Sequence, residues 1–281
     1  MATAALARPG SRSDLPILLA PVSALLVLVF FVPLCFVLFY SVYDGGFTTK
    51  AFVSLAKSGL FIRVLGTSFD IALSATLFSI LLGYPIALHL SRQPPRRRAL
   101  LLILVLLPFW TSILVKSFAF YVILGNQGII NQALRLAFGD AGTLKLLFNR
   151  VGVIVGMAHF LIPFVVFPVL ASLLAQNPEL RRAAQIMGAG PVRIFLRITL
   201  PLSMPGVVAG GLMSMVISLG VFVTPALLGG KSDIMMANLI DFYTRDTLDW
   251  NTAAAIAVIL LSLSAVLIAL LSWVRRDEGV A

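Results

Sequence analysis

Six long apolar runs dominate the chain, at about 15–43, 65–90, 99–124, 151–174, 205–228 and 253–273, with polar and charged residues gathered between them. A bilayer's hydrocarbon core is about 30 Å thick and takes about 20 residues of helix to cross, so each run is long enough to span it. Helices satisfy their own backbone hydrogen bonds, which hydrocarbon demands. Pro85, Pro108, Pro163 and Pro168 inside the runs are therefore expected to kink these helices rather than end them. The first run is too long for the core of a signal peptide and has no small-residue cleavage site behind it, so it reads as an uncleaved spanning helix. The pattern predicts an all-α integral membrane protein of six transmembrane helices, a single domain over 1–281 without an appended soluble domain.

Composition agrees with the pattern. Of 281 residues, 60% are hydrophobic and 11% charged, and the mean hydropathy is +1.04. Such a chain is neither disordered nor an ordinary soluble enzyme. A net charge of +10 in a soluble protein would suggest nucleic acid. Here the basic residues lie between apolar runs and read as topology signals, so the partner implied is membrane lipid and not nucleic acid. Arg92, Arg96, Arg97 and Arg98 follow the second run, Arg181, Arg182, Arg193 and Arg197 follow the fourth, and Arg8 and Arg12 precede the first. Placing these segments inside leaves the fewer lysines and arginines outside, which puts both termini in the cytoplasm. The single cysteine, Cys35, lies within the first run and rules out an intrachain disulfide.

The longest inner connection, about 176–204, departs from a plain bundle. Asn177-Pro178-Glu179 has the form of a helix start, with a capping amide, a first-turn proline and an acid at the positive dipole end. Leu180, Ala183, Ala184 and Met187 recur at helical spacing and form a small apolar face. Gly188 suits a positive φ that ends this helix, and Gly190-Pro191 starts a second one running toward Thr199 before Pro201. Taken from the residues alone, this hairpin is either a lever presented to another protein or an amphipathic element resting on lipid headgroups.

Ala183-Ala184, Gly188, Ile198 and Leu200-Pro201 stand in the register of the EAA loop of ABC-importer permeases, which this segment resembles. Arg182 stands where that loop usually has glutamate. Further stretches, 107–112 followed by Lys116, 125–131 and 219–230, are similar to permeases of the spermidine/putrescine branch. The resemblance implies a type I importer permease fold in a bacterial inner membrane, with Arg182, Ala183, Ala184, Gly188, Ile198, Leu200 and Pro201 as the coupling residues. It further implies three partners: a cytoplasmic ATPase dimer, a second homologous permease subunit and a periplasmic substrate-binding protein. ATP would be used by the ATPase, with no cofactor in this chain. The favoured cargo is a polyamine. Thiamine-like cations, ferric iron and oxyanions are the alternatives, and an ion-coupled secondary transporter is the reading from another class.

Six residues are candidates for the substrate pathway: Asp70, Lys116, Ser214, Ser218, Phe222 and Thr224. Asp70 and Lys116 are charges inside apolar runs at similar expected depths, so they are expected to pair with each other, with direct contact to cargo as the second reading. The serines and Gly210-Gly211 suit either a pathway helix or close helix packing. Asp241, Phe242, Tyr243, Asp246, Asp249 and Trp250 combine acids and aromatics in an outer loop, suited to docking a binding protein or to holding an ammonium group. Gly230-Lys231-Ser232 fails as a phosphate-binding loop because Pro225 stands where a glycine is needed. His89 and His159 have no Cys or carboxylate cluster with them, so no metal site is expected, and His159 reads as a hydrogen-bonded packing residue.

Overall fold

The computed structural model describes residues 14–139 and 142–276, which form thirteen α-helices. Arg8 and Arg12 lie outside the described residues. In chain order the helices are α1 (Asp14–Val42), α2 (Lys50–Lys57), α3 (Gly59–Ser91), α4 (Pro95–Trp110), α5 (Ile113–Leu124), α6 (Ile129–Phe138), α7 (Arg150–Leu174), α8 (Pro178–Ile186), α9 (Pro191–Ile194), α10 (Leu200–Leu219), α11 (Val223–Leu228), α12 (Met236–Arg245) and α13 (Trp250–Arg276). A π-helical turn over Phe195–Thr199 joins α9 to α10. Six stretches are long and apolar enough to cross a membrane.

The centre of the bundle is α3, α7 and α10, with α13 packed on α10. Small residues allow this closeness. A Cβ on Gly206 would sit 2.5 Å from the Pro168 carbonyl oxygen, and one on Gly210 would sit 3.0 Å from the Val165 Cα. The two glycines are one helical turn apart and face α7, the small-xxx-small arrangement that lets membrane helices approach without a hydrophobic drive between them. Hydroxyls add cross-links: Tyr84 and Ser203 meet at 2.8 Å between α3 and α10, and the Ser79 hydroxyl reaches the Ala158 carbonyl of α7 at 3.3 Å. A Gly206→Leu substitution is expected to separate α10 from α7 and to cost on the order of 2–4 kcal/mol, as overpacking against backbone does. Thermal unfolding in detergent measures it.

Helix α1 is peripheral. It packs on α13 and α2 and leaves Cys35 and most of its apolar side chains exposed, as a helix bathed in lipid does.

The third crossing differs from a single helix over 99–124. Thr111 and Ser112 are extended, which separates α4 from α5. At 16 residues, α4 is about 24 Å long and does not reach across alone. Leu101, Leu102 and Val105 pack on the cluster at the C-terminal half of α7, Phe109 stacks on Phe160 at 6.2 Å, and Phe120 packs on the cluster holding Val153 and Met157. Together α4 and α5 therefore accompany α7 from end to end with a break at mid-depth. The apolar stretch identified by continuity in this region is Ile113–Phe138, α5 with α6, although Gly125–Gly128 turns the chain between them.

The fifth crossing also differs. Pro201 does not stop the second arm of the inner hairpin, because the chain stays helical from Pro191 through Leu219. The proline ring would clash with the carbonyl four residues back in a regular α-helix. Here the preceding π turn widens the helix, and the Leu200 N–H bonds to the Phe195 carbonyl instead. The helix then breaks at Gly220–Phe222 before the short α11.

Candidate functional site

At one end of the bundle the chain leaves α7 and forms the expected hairpin. The Asn177 carboxamide accepts from the Glu179 N–H at 2.9 Å and starts α8. At the other end, Gly188 has φ +80, its N–H bonds to the Gln185 carbonyl at 3.0 Å, and the Ala189 N–H bonds to the Ala184 carbonyl at 2.9 Å. This pair of bonds around a left-handed residue is a Schellman cap. Gly190 then precedes Pro191 at the start of α9, so the two arms are set by a glycine elbow.

Ala184 is 5% exposed and is the one buried residue of α8. Arg182 and Ala183 are exposed, as are Leu180, Ile186 and Met187, so the apolar face read from spacing is only partly covered. Ile198 lines a cleft of about 590 Å³ that also holds Arg92, Asn177, Arg181, Gln185 and Leu202. Leu200 packs on the Tyr84–Leu173 cluster, while Pro201 is exposed. Gln176 donates to the Thr199 carbonyl at 3.0 Å, tying the end of α7 to the π turn. The seven residues of the motif thus share one end of the molecule, and the hairpin is anchored to α7 and α10. Motion of the hairpin would be carried directly into two central helices.

The expected Asp70–Lys116 pair does not form. Asp70 pairs with Arg150 at the start of α7, and the Arg150 Nε lies 3.4 Å from Asp233, whose other oxygen accepts from the Gly230 N–H at 3.1 Å. Lys116 donates to the Pro108 carbonyl at 2.6 Å and stands 5.0 Å over the Phe160 ring. The expectation assumed one continuous helix over 99–124. The break at Thr111–Ser112 frees carbonyls at the end of α4, where a cation is favoured by the helix dipole, and Lys116 takes one of them. Lys116→Met is expected to leave the Pro108 carbonyl with the Thr111 hydroxyl alone, at 2.9 Å, and to destabilise the α4–α5 joint by about 0.5–1.5 kcal/mol, the net worth of one hydrogen bond. Proteolytic or thermal unfolding of the purified protein reads this out.

The remaining pathway candidates do not meet at one point. Ser214 and Ser218 are fully buried on α10, and their hydroxyls have no hydrogen-bond partner among the described residues. Thr224 is buried on α11 and lies 3.4 Å from the Ser117 hydroxyl of α5, while Phe222 is exposed at the break before α11. His159 is corrected as well. Its Nδ1 has no hydrogen-bond partner among the described residues, its ring meets Phe120 at 5.5 Å, and it shares a cavity of about 490 Å³ with His89.

Two of the acids between 241 and 250 have structural partners. Asp241 pairs with Arg245 at 2.7 Å and Asp249 accepts from the Thr252 N–H at 3.0 Å, capping α13. Sequence reasoning missed Arg150, Asp233 and Ser117. Arg150 reads as a loop charge because nothing local shows that α3 and the 229–235 loop converge on the start of α7.

The family described as "Binding-protein-dependent transport system inner membrane component" matches residues 75–278, which leaves α1 outside the match. The spermidine/putrescine transport system permease protein PotB of Escherichia coli K12 is 36% identical over 202 residues, covering 72% of this chain and 73% of the relative. The PotB of Haemophilus influenzae is 34% identical over 209 residues, covering 74% and 73%. The molybdenum transport system permease protein ModB of Mycobacterium bovis is 27% identical over 198 residues, covering 70% and 73%. Among solved structures, a bacterial alginate ABC transporter in complex with alginate pentasaccharide-bound periplasmic protein superposes with a TM-score of 0.78 at 20% identity, covering 95% of this chain and 96% of that one. With this family's match running through the hairpin and the central helices, the chain belongs to the inner membrane components of binding-protein-dependent transport systems.

Proposed function

We propose that this chain is the permease subunit of an importer for polyamines such as spermidine and putrescine. The observation that carries the cargo is the 34–36% identity to PotB permeases over about three quarters of the chain. In this reading a periplasmic binding protein delivers the polyamine, and a separate cytoplasmic ATPase dimer hydrolyses ATP, with no cofactor held by this chain. A second homologous permease subunit supplies the other half of the pathway, since six crossings make one wall.

Arg182, Ala183, Ala184, Gly188, Ile198, Leu200 and Pro201 form the handle for the ATPase. Exposed apolar side chains on a hairpin that is tied into α7 and α10 support this assignment. ATP binding would bias the pair of permeases between outward-open and inward-open packings through differential contacts at the handle. Ser214, Ser218, Phe222 and Thr224 are the residues proposed to border the solute path. Asp70 and Lys116 act on it indirectly, by fixing α7 and the α4–α5 joint.

Uptake by proteoliposomes tests the function. With the permease pair, ATPase and binding protein assembled, labelled spermidine should enter only when ATP is present on the ATPase side and a loaded binding protein on the other. Uptake driven by an ion gradient without ATP would contradict the importer, and molybdate uptake without spermidine uptake would contradict the cargo.

A further inference from the structure

The charge on the outer side of the hairpin specifies the partner surface. At about 100° per residue, Arg182 and Ile186 lie roughly 160° and 200° around α8 from Ala184, its one buried residue, and roughly 100° and 140° from Arg181, which lines the cleft against α3, α7 and α10. They therefore point away from the membrane-spanning helices. Ile186 is 87% exposed and Met187 80%, and Val192 on the second arm is 69% exposed. On the same hairpin Arg182, Arg193 and Arg197 are exposed, and none forms an ion pair among the described residues. Glu179 is the one acid between 176 and 204.

We infer that the hairpin fits a groove in its partner ATPase whose floor is apolar and whose rim carries carboxylates, at least one of them opposite Arg182. The inference rests on the coupling role proposed above and adds the chemistry of the partner. The apolar side chains of Ile186, Met187 and Val192, exposed on the hairpin, need a dry socket, because leaving them in water forfeits the burial that a partner would supply. Unpaired guanidiniums on the same hairpin repel a basic rim and attract an acidic one, setting both the encounter rate and the choice of partner. Arg182 suits this role through its planar donor fork, which a carboxylate matches with two parallel bonds. A lipid surface is the less favoured occupant, since Arg182 and Ile186 lie on the side of α8 away from the spanning helices.

The test measures ATPase binding to the permease pair in nanodiscs, at low and high salt, in neutral and in anionic lipid. Wild-type affinity should fall as salt rises. Arg182→Glu should weaken it by about tenfold or more in both lipids, Arg182→Gln should fall between, and Met187→Asp should detach the ATPase. An ATPase carboxylate cross-linked to position 182 should restore binding to Arg182→Glu when changed to arginine. Wild-type affinity for Arg182→Glu, with Met187→Asp still detached, overturns the acidic rim and leaves the coupling role standing. A loss confined to anionic lipid also overturns it, because Arg182 then engages headgroups. Wild-type binding by both variants removes the coupling role itself.

Discussion

Replacing Gly188 by valine is expected to uncouple the transporter while leaving the bundle folded. Gly188 holds φ +80 at the elbow between α8 and α9. A left-handed conformation costs an ordinary L-residue about 1–2 kcal/mol, and a β-branched one more. No neighbouring atom lies within 4 Å of where a Cβ would stand, so the cost is in the backbone and not in a clash. The chain escapes by opening the Schellman cap, losing the bonds from Gly188 to Gln185 and from Ala189 to Ala184 and changing the angle between the two arms. ATPase activity stimulated by loaded binding protein should fall tenfold or more, because a lever at the wrong angle no longer carries ATPase closure into α10, and a factor of ten needs only about 1.4 kcal/mol of misalignment. The melting temperature should barely move. Gly188→Asn should keep much of the activity, since asparagine tolerates this conformation, and Gly188→Ala should fall between. Equal activity in the valine, alanine and asparagine variants would remove the elbow from the mechanism.

The second large effect is expected at Arg150. Its guanidinium joins three elements, pairing with Asp70 of α3 and Asp233 of the 229–235 loop from the first residue of α7. Asp233 is buried, and Arg150→Ala leaves its carboxylate with the Gly230 N–H alone. Breaking a fully buried pair costs about 3–5 kcal/mol. Arg150 and Asp70 are 39% and 54% exposed, so solvent screening reduces the expected loss to about 2–3 kcal/mol. Thermal unfolding should show Arg150→Ala as less stable than Asp70→Asn, and Asp233→Asn should recover part of the loss in the Arg150→Ala background by removing the stranded charge. Exchanging Asp70 with Lys116 should rescue nothing.

The contrast between these two sites shows what could be read without coordinates. Gly188 was legible because a glycine elbow is local. An Asn-Pro-Glu start, a helical apolar spacing and a Gly-x-Gly-Pro stop lie within fifteen residues, and local capping chemistry needs no knowledge of neighbours. The apolar runs were legible for a similar reason, since bilayer thickness sets their length. Arg150 was not legible, because its partners are 80 and 83 positions away in sequence. The Asp70–Lys116 pairing failed on one specific point: depth was counted along a helix that Thr111 and Ser112 interrupt, and the interruption supplied Lys116 with a carbonyl. Pro201 misled in the other direction, because a π turn absorbs a proline that a regular helix would not.

The proposed pathway residues illustrate the same limit. Ser214 and Ser218 stand four residues apart and are both buried on α10. Whether a buried hydroxyl packs or guides solute depends on what the neighbouring helices bring to it, and α3 brings the buried hydroxyls of Thr67, Ser68, Thr76 and Ser79 among its apolar side chains.

The most direct measurement is site-specific cross-linking from the outer side of the hairpin. With Cys35 replaced by serine, a cysteine at Ala183 becomes the only thiol of this chain. In vesicles containing the assembled transporter, that thiol should cross-link to the ATPase subunit in a yield that changes between ATP-bound and ATP-free states. A membrane-impermeant maleimide should label it only from the ATPase side. Labelling from the binding-protein side, or no cross-link to the ATPase in either nucleotide state, would contradict the account.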